Sequence, residues 1–281
     1  KETSFNFFAD NSDTLIQNIK SNISGILVQN GNLQIERNEN INIKSNFYTD
    51  LNVDSENINN YSSYLKKIQF INKNTKLKAS INHNLDINFD KTFKVTNYIY
   101  NANGQINEFK IKLNNPIKNI FLDREINDLI FKKSDFKARY SSDNKNFFES
   151  SGDYSFGKDK YYNYNFKNNF LEKRSNIDIN FEFAQKLILD LLNYRKDDNK
   201  VAKIAASINI KKNLINFKKI SYSENKNLIL IENLKINSKN VSSLKKIKGL
   251  TYKNKKLNND FIIRFKKNNY QWEKIRCKKF K

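Results

Sequence analysis

Apolar and polar residues alternate with a period of two along most of this chain, and that pattern limits its fold more than any other feature. A strand points successive side chains to opposite faces, so apolar residues at i, i+2 and i+4 make one dry face. Leu33 and Ile35 begin the series, followed by Ile41, Ile43 and Phe47. Leu77, Ala79 and Ile81 lead into Leu85, Ile87 and Phe89, then Phe93 and Val95. Phe109, Ile111 and Leu113 run up to Pro116. Ile177, Ile179, Phe181 and Phe183 follow, then Ile204, Ala206, Ile208 and Ile210, then Leu228 and Leu230. Phe261, Ile263 and Phe265 close it. The intervening positions are mostly Asn, Lys, Ser or Glu, which predicts an antiparallel sheet with one wet face.

Breaks fall every 8–15 residues at Asn, Asp, Gly, Ser or Lys. Asn30-Gly31-Asn32, Asn103-Gly104 and Ser151-Gly152-Asp153 are expected to be turns, because these residues tolerate positive φ. Helix is expected only in short pieces. Asp13 to Ile19 is expected to give a turn or two capped by Asp13, and Ser55 to Phe70 has a loose amphipathic pattern. Phe183 to Tyr194 is the best candidate, with Leu187, Leu191 and Tyr194 on one side, and Ser242 to Lys248 is expected to add a short one. The fold class is therefore mostly β: one curved antiparallel sheet with a few short helices. Its dry face must be covered by a second sheet, by closure into a barrel or coil, or by a lipid. Residues 1–281 read as a single segment, with a soft boundary at the polar stretch 193–200.

The chain contains no methionine, even at position 1. It is expected to lie within a longer reading frame or after a processed leader, with any anchor or export signal upstream of Lys1. No run approaches the roughly 18 apolar residues that cross a bilayer as a helix.

The formal charge of +22 suggests nucleic acid at first sight. Abundant Lys, Asn, Ile, Phe and Tyr with scarce Pro, Gly, Ala, Trp and His is also the usage of a very AT-rich genome, which accounts for the charge without a polyanionic partner. The distribution is uneven: residues 1–60 hold 4 basic and 8 acidic residues, net −4, and residues 245–281 hold 14 and 2, net +12. The basic end reads as a solvated strand face, or as a surface that meets anionic headgroups or polymer. Tyr161, Tyr162, Tyr164 and Phe166 with nearby lysines have the makings of a base-stacking platform, but aromatics favour strands for packing reasons alone, and no nucleic acid is expected as partner.

Catalytic raw material is thin. One cysteine, Cys277, excludes an intrachain disulfide and a thiolate metal cluster. The single histidine, His83, lies between Asn82 and Asn84 and reads as part of a polar turn. Asp123, Glu125 and Asp128 around Arg124 read as a solvated loop with local charge pairing, and Asp197 and Asp198 as a loop or helix end. No G-x-S-x-G, H-E-x-x-H, P-loop or dinucleotide fingerprint occurs. An enzyme is not expected, nor a metal or other cofactor.

The last third carries a family likeness. Asn225 to Ile236 (N-K-N-L-I-L-I-E-N-L-K-I) is followed by Val241 to Lys248, then Leu257-Asn258-Asn259-Asp260-Phe261-Ile262-Ile263 and Tyr270-Gln271-Trp272. This succession resembles the repeating strand units of AsmA-like proteins of the large YhdP/TamB type. Ser150 to Phe156 and Gly31 to Ile35 resemble their small-Gly-polar-aromatic strand starts. The resemblance implies an internal or C-terminal segment of a periplasmic protein anchored in the inner membrane of a Gram-negative-type bacterium. It implies that the sheet is elongated and forms an open, twisted, apolar β-groove that holds or conducts phospholipid, or another acyl lipid, between the two membranes. The family has no catalytic motif to carry over. On this reading the groove floor comprises Leu33, Ile35, Ile41, Ile43, Leu77, Ile81, Leu85, Ile87, Phe93, Val95, Phe109, Ile111, Leu113, Ile177, Ile179, Phe181, Ile208, Ile210, Leu228, Leu230, Phe261, Ile263 and Phe265. From the residues alone, a surface-exposed β-solenoid or adhesin with a closed, self-filled core stays open beside it.

Overall fold

Strands reverse where a short polar side chain can hold the turn. In the computed structural model, which describes residues 2–23, 25–54, 75–118, 125–157, 160–198, 200–238, 240–265 and 272–275, aspartates do this repeatedly. Asp10 Oδ1 accepts the amides of Ser12 and Asp13 at 2.8 and 2.7 Å. Asp90 Oδ1 accepts those of Thr92 and Lys94 at 2.8 and 3.0 Å. These Asx turns mimic a backbone turn and need no glycine. Elsewhere asparagine and lysine take left-handed φ themselves, as at Asn254 (50°) and Lys255 (62°).

The chain divides into two units, Lys1–Pro116 with Ile126–Tyr161, and Ile117–Glu125 with Tyr162–Lys281. The first holds β1 (Thr3–Ala9), β2 (Asp13–Ile23), β3 (Ile26–Arg37), β4 (Ile41–Asp54), β5 (Lys76–Phe89), nearly all of β6 (Val95–Ile117), β7 (Ile126–Ser141) and β8 (Asn146–Ser155). Strands β1 to β6 pair antiparallel in succession, and β7 pairs with β8. The second unit holds β9 (Tyr162–Leu171), β10 (Arg174–Phe183), β11 (Leu187–Leu189), a 3₁₀ turn (Asp190–Leu192) and β12 (Tyr194–Lys196). It continues with β13 (Ala202–Lys211), β14 (Leu214–Glu224), β15 (Asn227–Asn237), β16 (Asn240–Ser243), β17 (Lys246–Lys253), β18 (Lys256–Phe265) and β19 (Trp272–Ile275). Here β9, β10, β13, β14, β15, β17, β18 and β19 follow one another, and β16 lies against the end of β15. Seventeen strands belong to one antiparallel sheet that does not close into a barrel. About 80% of the described residues are strand and 1% helical.

Three helix expectations fail. Asp13 to Ile19 is part of β2, because its backbone groups are taken by ladders to β1 and β3 on both sides. Phe183 to Tyr194 is the end of β10, two three-residue strands and the 3₁₀ turn, with Leu187, Leu189 and Leu192 drawn onto a buried cluster rather than along one helical stripe. Ser242 to Lys248 is split between β16 and β17. Ser55 to Phe70 lies outside the described residues.

The expected glycine turns fail as well, since Gly31, Gly104 and Gly152 sit inside β3, β6 and β8. A Cβ on Gly104 would come within 2.0 Å of the Ser80 carbonyl oxygen, and one on Gly152 within 2.4 Å of Ser134 Oγ. These glycines mark close approach between neighbouring strands, the second common reason for glycine in a sheet.

Register sets the faces, because directly opposed residues in an antiparallel pair project to the same side. On the polar side, asparagines line up across four strands: Asn32, Asn46, Asn84 and Asn101 in the first unit, and Asn169, Asn176, Asn209 and Asn216 in the second. Amide-to-amide bonds join Asn32 to Asn46 at 3.2 Å and Asn209 to Asn176 at 2.5 Å.

Candidate functional site

The opposite face is apolar in both units. Ile35, Ile43, Ile87 and Tyr98 stand side by side across β3 to β6. The next row holds Leu33, Ser45, Leu85 and Tyr100, and Val53, Leu77 and Phe109 form another near the far end. Ile41, Ile81, Ile111 and Leu113 share the parity of these rows. Phe131 of β7 stacks on Phe109, with ring centroids 6.1 Å apart and 23° between planes. Of the predicted floor residues in this unit, only Ile111 is buried; the others that occupy the face are half-buried, apart from the exposed Val95. A face enclosed against a second sheet would exclude water from most such side chains.

Phe93 does not belong to this face. It sits in the turn before β6 at φ 60° and is 74% exposed, because the Asx turn on Asp90 ends β5 at Phe89.

In the second unit Ile177, Ile179 and Phe181 of β10 oppose Ile208, Ala206 and Ile204 of β13. Tyr164 and Phe166 oppose Phe181 and Ile179, so these two aromatics pack on this face as strand neighbours. Ile210, Phe217, Ile220, Tyr222, Ile229, Ile231, Ile247, Phe261 and Ile263 continue it, and Phe265 occupies the next alternate position of β18. Leu228 and Leu230 fall on the other face, opposite Ser223 and Ser221. The run Leu228 to Ile231 is apolar at both parities, and pairing with β14 turns Ile229 and Ile231 to the dry side.

One end of the second unit's apolar face is covered from within the unit. The hairpin of β11 and β12 lays Leu187, Leu189 and Leu192 over Ile204, Ile229 and the buried Tyr194, Ala202 and Tyr222. Lys196, the last residue of β12, is fully buried, its ammonium donating to the carbonyls of Ala184, Gln185 and Asp197 at 2.6, 2.8 and 2.9 Å. The Tyr194 hydroxyl donates to Glu224 Oε2 at 2.8 Å, so the Tyr222 hydroxyl donates to Tyr194 at 2.7 Å. Asn227 adds a second donor to that carboxylate oxygen at 2.5 Å. Burial pushes the Tyr222 phenol up to about 12 and Tyr194 further, and it lowers Lys196 against the opposing pull of the Glu224 charge. Each of these groups is hydrogen-bonded within the protein, so the network fastens the hairpin and offers nothing to a ligand. The alternating pattern does not signal this lock, because Lys196 and Glu224 look like surface residues in the sequence.

In the first unit a polar group lies within the apolar face. His83 is mid-strand in β5, not in a turn, opposite Phe47 and Ala102. Its Nε2 lies 2.8 Å from Thr49 Oγ1 and its Nδ1 2.7 Å from the Tyr100 hydroxyl. Burial lowers the imidazole pKa and raises that of Tyr100, so both are neutral at pH 7. The polar flanks Asn82 and Asn84 conceal this site in the sequence, since strand alternation sends them to the opposite face.

The carboxylates considered for acid–base work do not assemble. Glu125 pairs with Lys118 at 2.5 Å and Asp197 with Lys200 at 3.1 Å. Asp198 is exposed and Asp128 lies in β7, while Asp123, Arg124 and Cys277 are outside the described residues. Among the described residues no group of three or more His, Cys, Asp or Glu side chains converges. In comparisons with known proteins, no family model, no curated protein and no solved structure matches the chain.

Proposed function

We propose that this chain is a non-enzymatic segment of a bacterial envelope scaffold, of the AsmA-like kind, that holds or conducts phospholipid acyl chains along its apolar sheet face. On this reading it lies in the periplasm, is tied to the inner membrane by an anchor outside the segment, and carries lipid between the inner and outer membranes. The observation that carries the proposal is the half-buried state of the alternating set. Side chains such as Ile35, Ile43, Ile87 and Tyr98 stand in line across four strands, with the charged and amide groups on the other side. Leaving that much hydrocarbon in water costs roughly 25 cal/mol per Å², and an acyl chain laid along the rows removes the cost. Curvature of the sheet into an open groove, with these rows as its floor, completes the proposal.

A second reading has its own observation. The β11–β12 hairpin covers part of the apolar face in the second unit, as the self-filled core of a surface-exposed β-solenoid or adhesin would require throughout.

A charge placed on the floor separates the two. Ile179 and Ile208 lie on the apolar face, and Asn180 is exposed on the other. On an open face an aspartate tip reaches water, so Ile179→Asp and Ile208→Asp leave thermal unfolding nearly unchanged while lipid adducts are lost; Asn180→Asp changes neither. Adducts are read by photo-crosslinking from benzophenone at position 87 or 179, with phospholipid vesicles. In a closed core the same charge is fully desolvated. Wholesale unfolding of both Asp variants, with no lipid adduct in the parent, would overturn the conduit and leave the self-filled solenoid.

A further inference from the structure

Proton counting at Thr49, His83 and Tyr100 exposes a hydrogen-bond donor in the middle of the apolar face. A neutral imidazole carries one N–H and one bare nitrogen, and each hydroxyl carries one proton. The three side chains therefore hold three polar protons, and the two contacts at 2.8 and 2.7 Å use two. If Tyr100 donates to Nδ1, then Nε2–H donates to Thr49 and the threonine proton is left over. If Thr49 donates to Nε2, then Nδ1–H donates to Tyr100 and the phenol proton is left over. Either tautomer leaves one hydroxyl proton at one end of the chain. Ile81 and Leu85 flank the imidazole along β5, Phe47 and Ala102 stand across from it, and Thr49 is itself buried.

We propose that this relay is a recognition point for the ester carbonyl of an acyl glycerolipid. The inference rests on the acyl-chain reading above, and deepens it by naming the part of the lipid that is held in register. An ester carbonyl is a strong acceptor attached directly to an acyl chain, so a lipid lying along the rows brings acceptor and donor together with no second polar group to desolvate. A phosphate or carboxylate does not suit the site: no lysine or arginine stands among the residues that oppose the relay. Water competes for the spare proton, and the carbonyl replaces it without loss of the bond.

The experiment uses the full chain with benzophenone at position 87, one row from Tyr100. The crosslink to a photoreactive acyl probe is competed by a diacyl phosphatidylcholine, or by its dialkyl ether analogue of equal chain length. The ether keeps chains and headgroup and lacks the carbonyl. The diacyl lipid is expected to compete about five-fold better, the worth of one neutral hydrogen bond. Replacing all three members (Thr49→Val, His83→Phe, Tyr100→Phe) should bring the ratio to about one, with folding checked by melting. Since the chain has one histidine, its imidazole proton resonance gives a second measurement on the parent protein, shifting with the diacyl lipid and not with the ether. Equal competition in the parent, with no selective shift, overturns the carbonyl site and leaves the acyl reading standing. A preference that survives in the triple variant overturns the assignment to these residues. If neither lipid competes, the acyl reading is overturned, and this inference with it.

Discussion

The ring of Phe47 fills the space that a side chain on Gly31 would need. The two residues are directly opposed across β3 and β4, and a Cβ on the glycine would lie 2.3 Å from Phe47 Cδ1. Gly249 and Phe261 repeat the arrangement across β17 and β18, also at 2.3 Å. In each pair an aromatic side chain shields the backbone that the glycine leaves bare, so a residue poor for strands is stabilised by its cross-strand neighbour.

Gly31→Ala should therefore destabilise the protein by about 1–3 kcal/mol, the range for overpacking. Phe47→Leu in the same chain should relieve part of that loss, giving a non-additive double-mutant cycle in chemical denaturation. Gly104→Ala should cost at least as much and have no such suppressor, because its Cβ meets the backbone of Ser80 and Ile81.

His83 should make the first unit sensitive to acid. Burial lowers its pKa in the folded state, so below the unfolded value of about 6.5 the unfolded chain binds the proton more readily. The stabilising effect of the neutral imidazole is complete above pH 6.5 and is lost as pH falls through the folded pKa. Denaturation midpoints from pH 7.5 to 5 should show this loss, and His83→Asn should flatten it. The single imidazole resonance should titrate below 6.5 in the folded protein.

The tyrosine pair acts at the alkaline end. Tyr222 is raised to about 12 and Tyr194 is raised further, so the folded state keeps protons that the unfolded chain gives up near pH 10. Stability from these phenols is full below pH 10 and falls as pH rises toward 12. Ultraviolet titration of tyrosinate should leave two phenols un-ionised until the protein unfolds. Glu224→Gln should weaken the hairpin by about 1–3 kcal/mol, since it removes a charged acceptor and puts an amide donor on the same site.

Face assignment in β15 gives a further test. Ile229 packs on the buried cluster under the hairpin, and Leu230 projects to the other side against Ser221 and Lys248. Ile229→Ala should cost about 2–3 kcal/mol in thermal or denaturant unfolding, and Leu230→Ala well under that.

Sequence alone determined the class of the fold and the composition of its two faces. Period two can be satisfied only by strands, and the alternating positions from Leu33 to Leu113 took the side their parity predicts, except Phe93, which the Asp90 turn removes from the strand. Wherever the pattern was ambiguous, tertiary pairing decided. In Leu228-Ile229-Leu230-Ile231 both parities are apolar, so only hydrogen bonding to β14 could choose the face. Asp13 to Ile19 became a strand because β1 and β3 offered ladders on both sides, and its weak local helical signal could not compete. Glycine in the sequence cannot tell a turn from a crowded strand crossing; Gly31, Gly104 and Gly152 took the second role because the neighbouring strands approach too closely for a Cβ. The sites with chemical character were the least legible. Thr49, His83 and Tyr100 are 34 and 17 residues apart, and Tyr194 and Lys196 lie on β12 while Tyr222 and Glu224 lie on β14. A local pattern holds no record of which distant strands pair, and it is that pairing that brings these polar groups together inside an apolar surface.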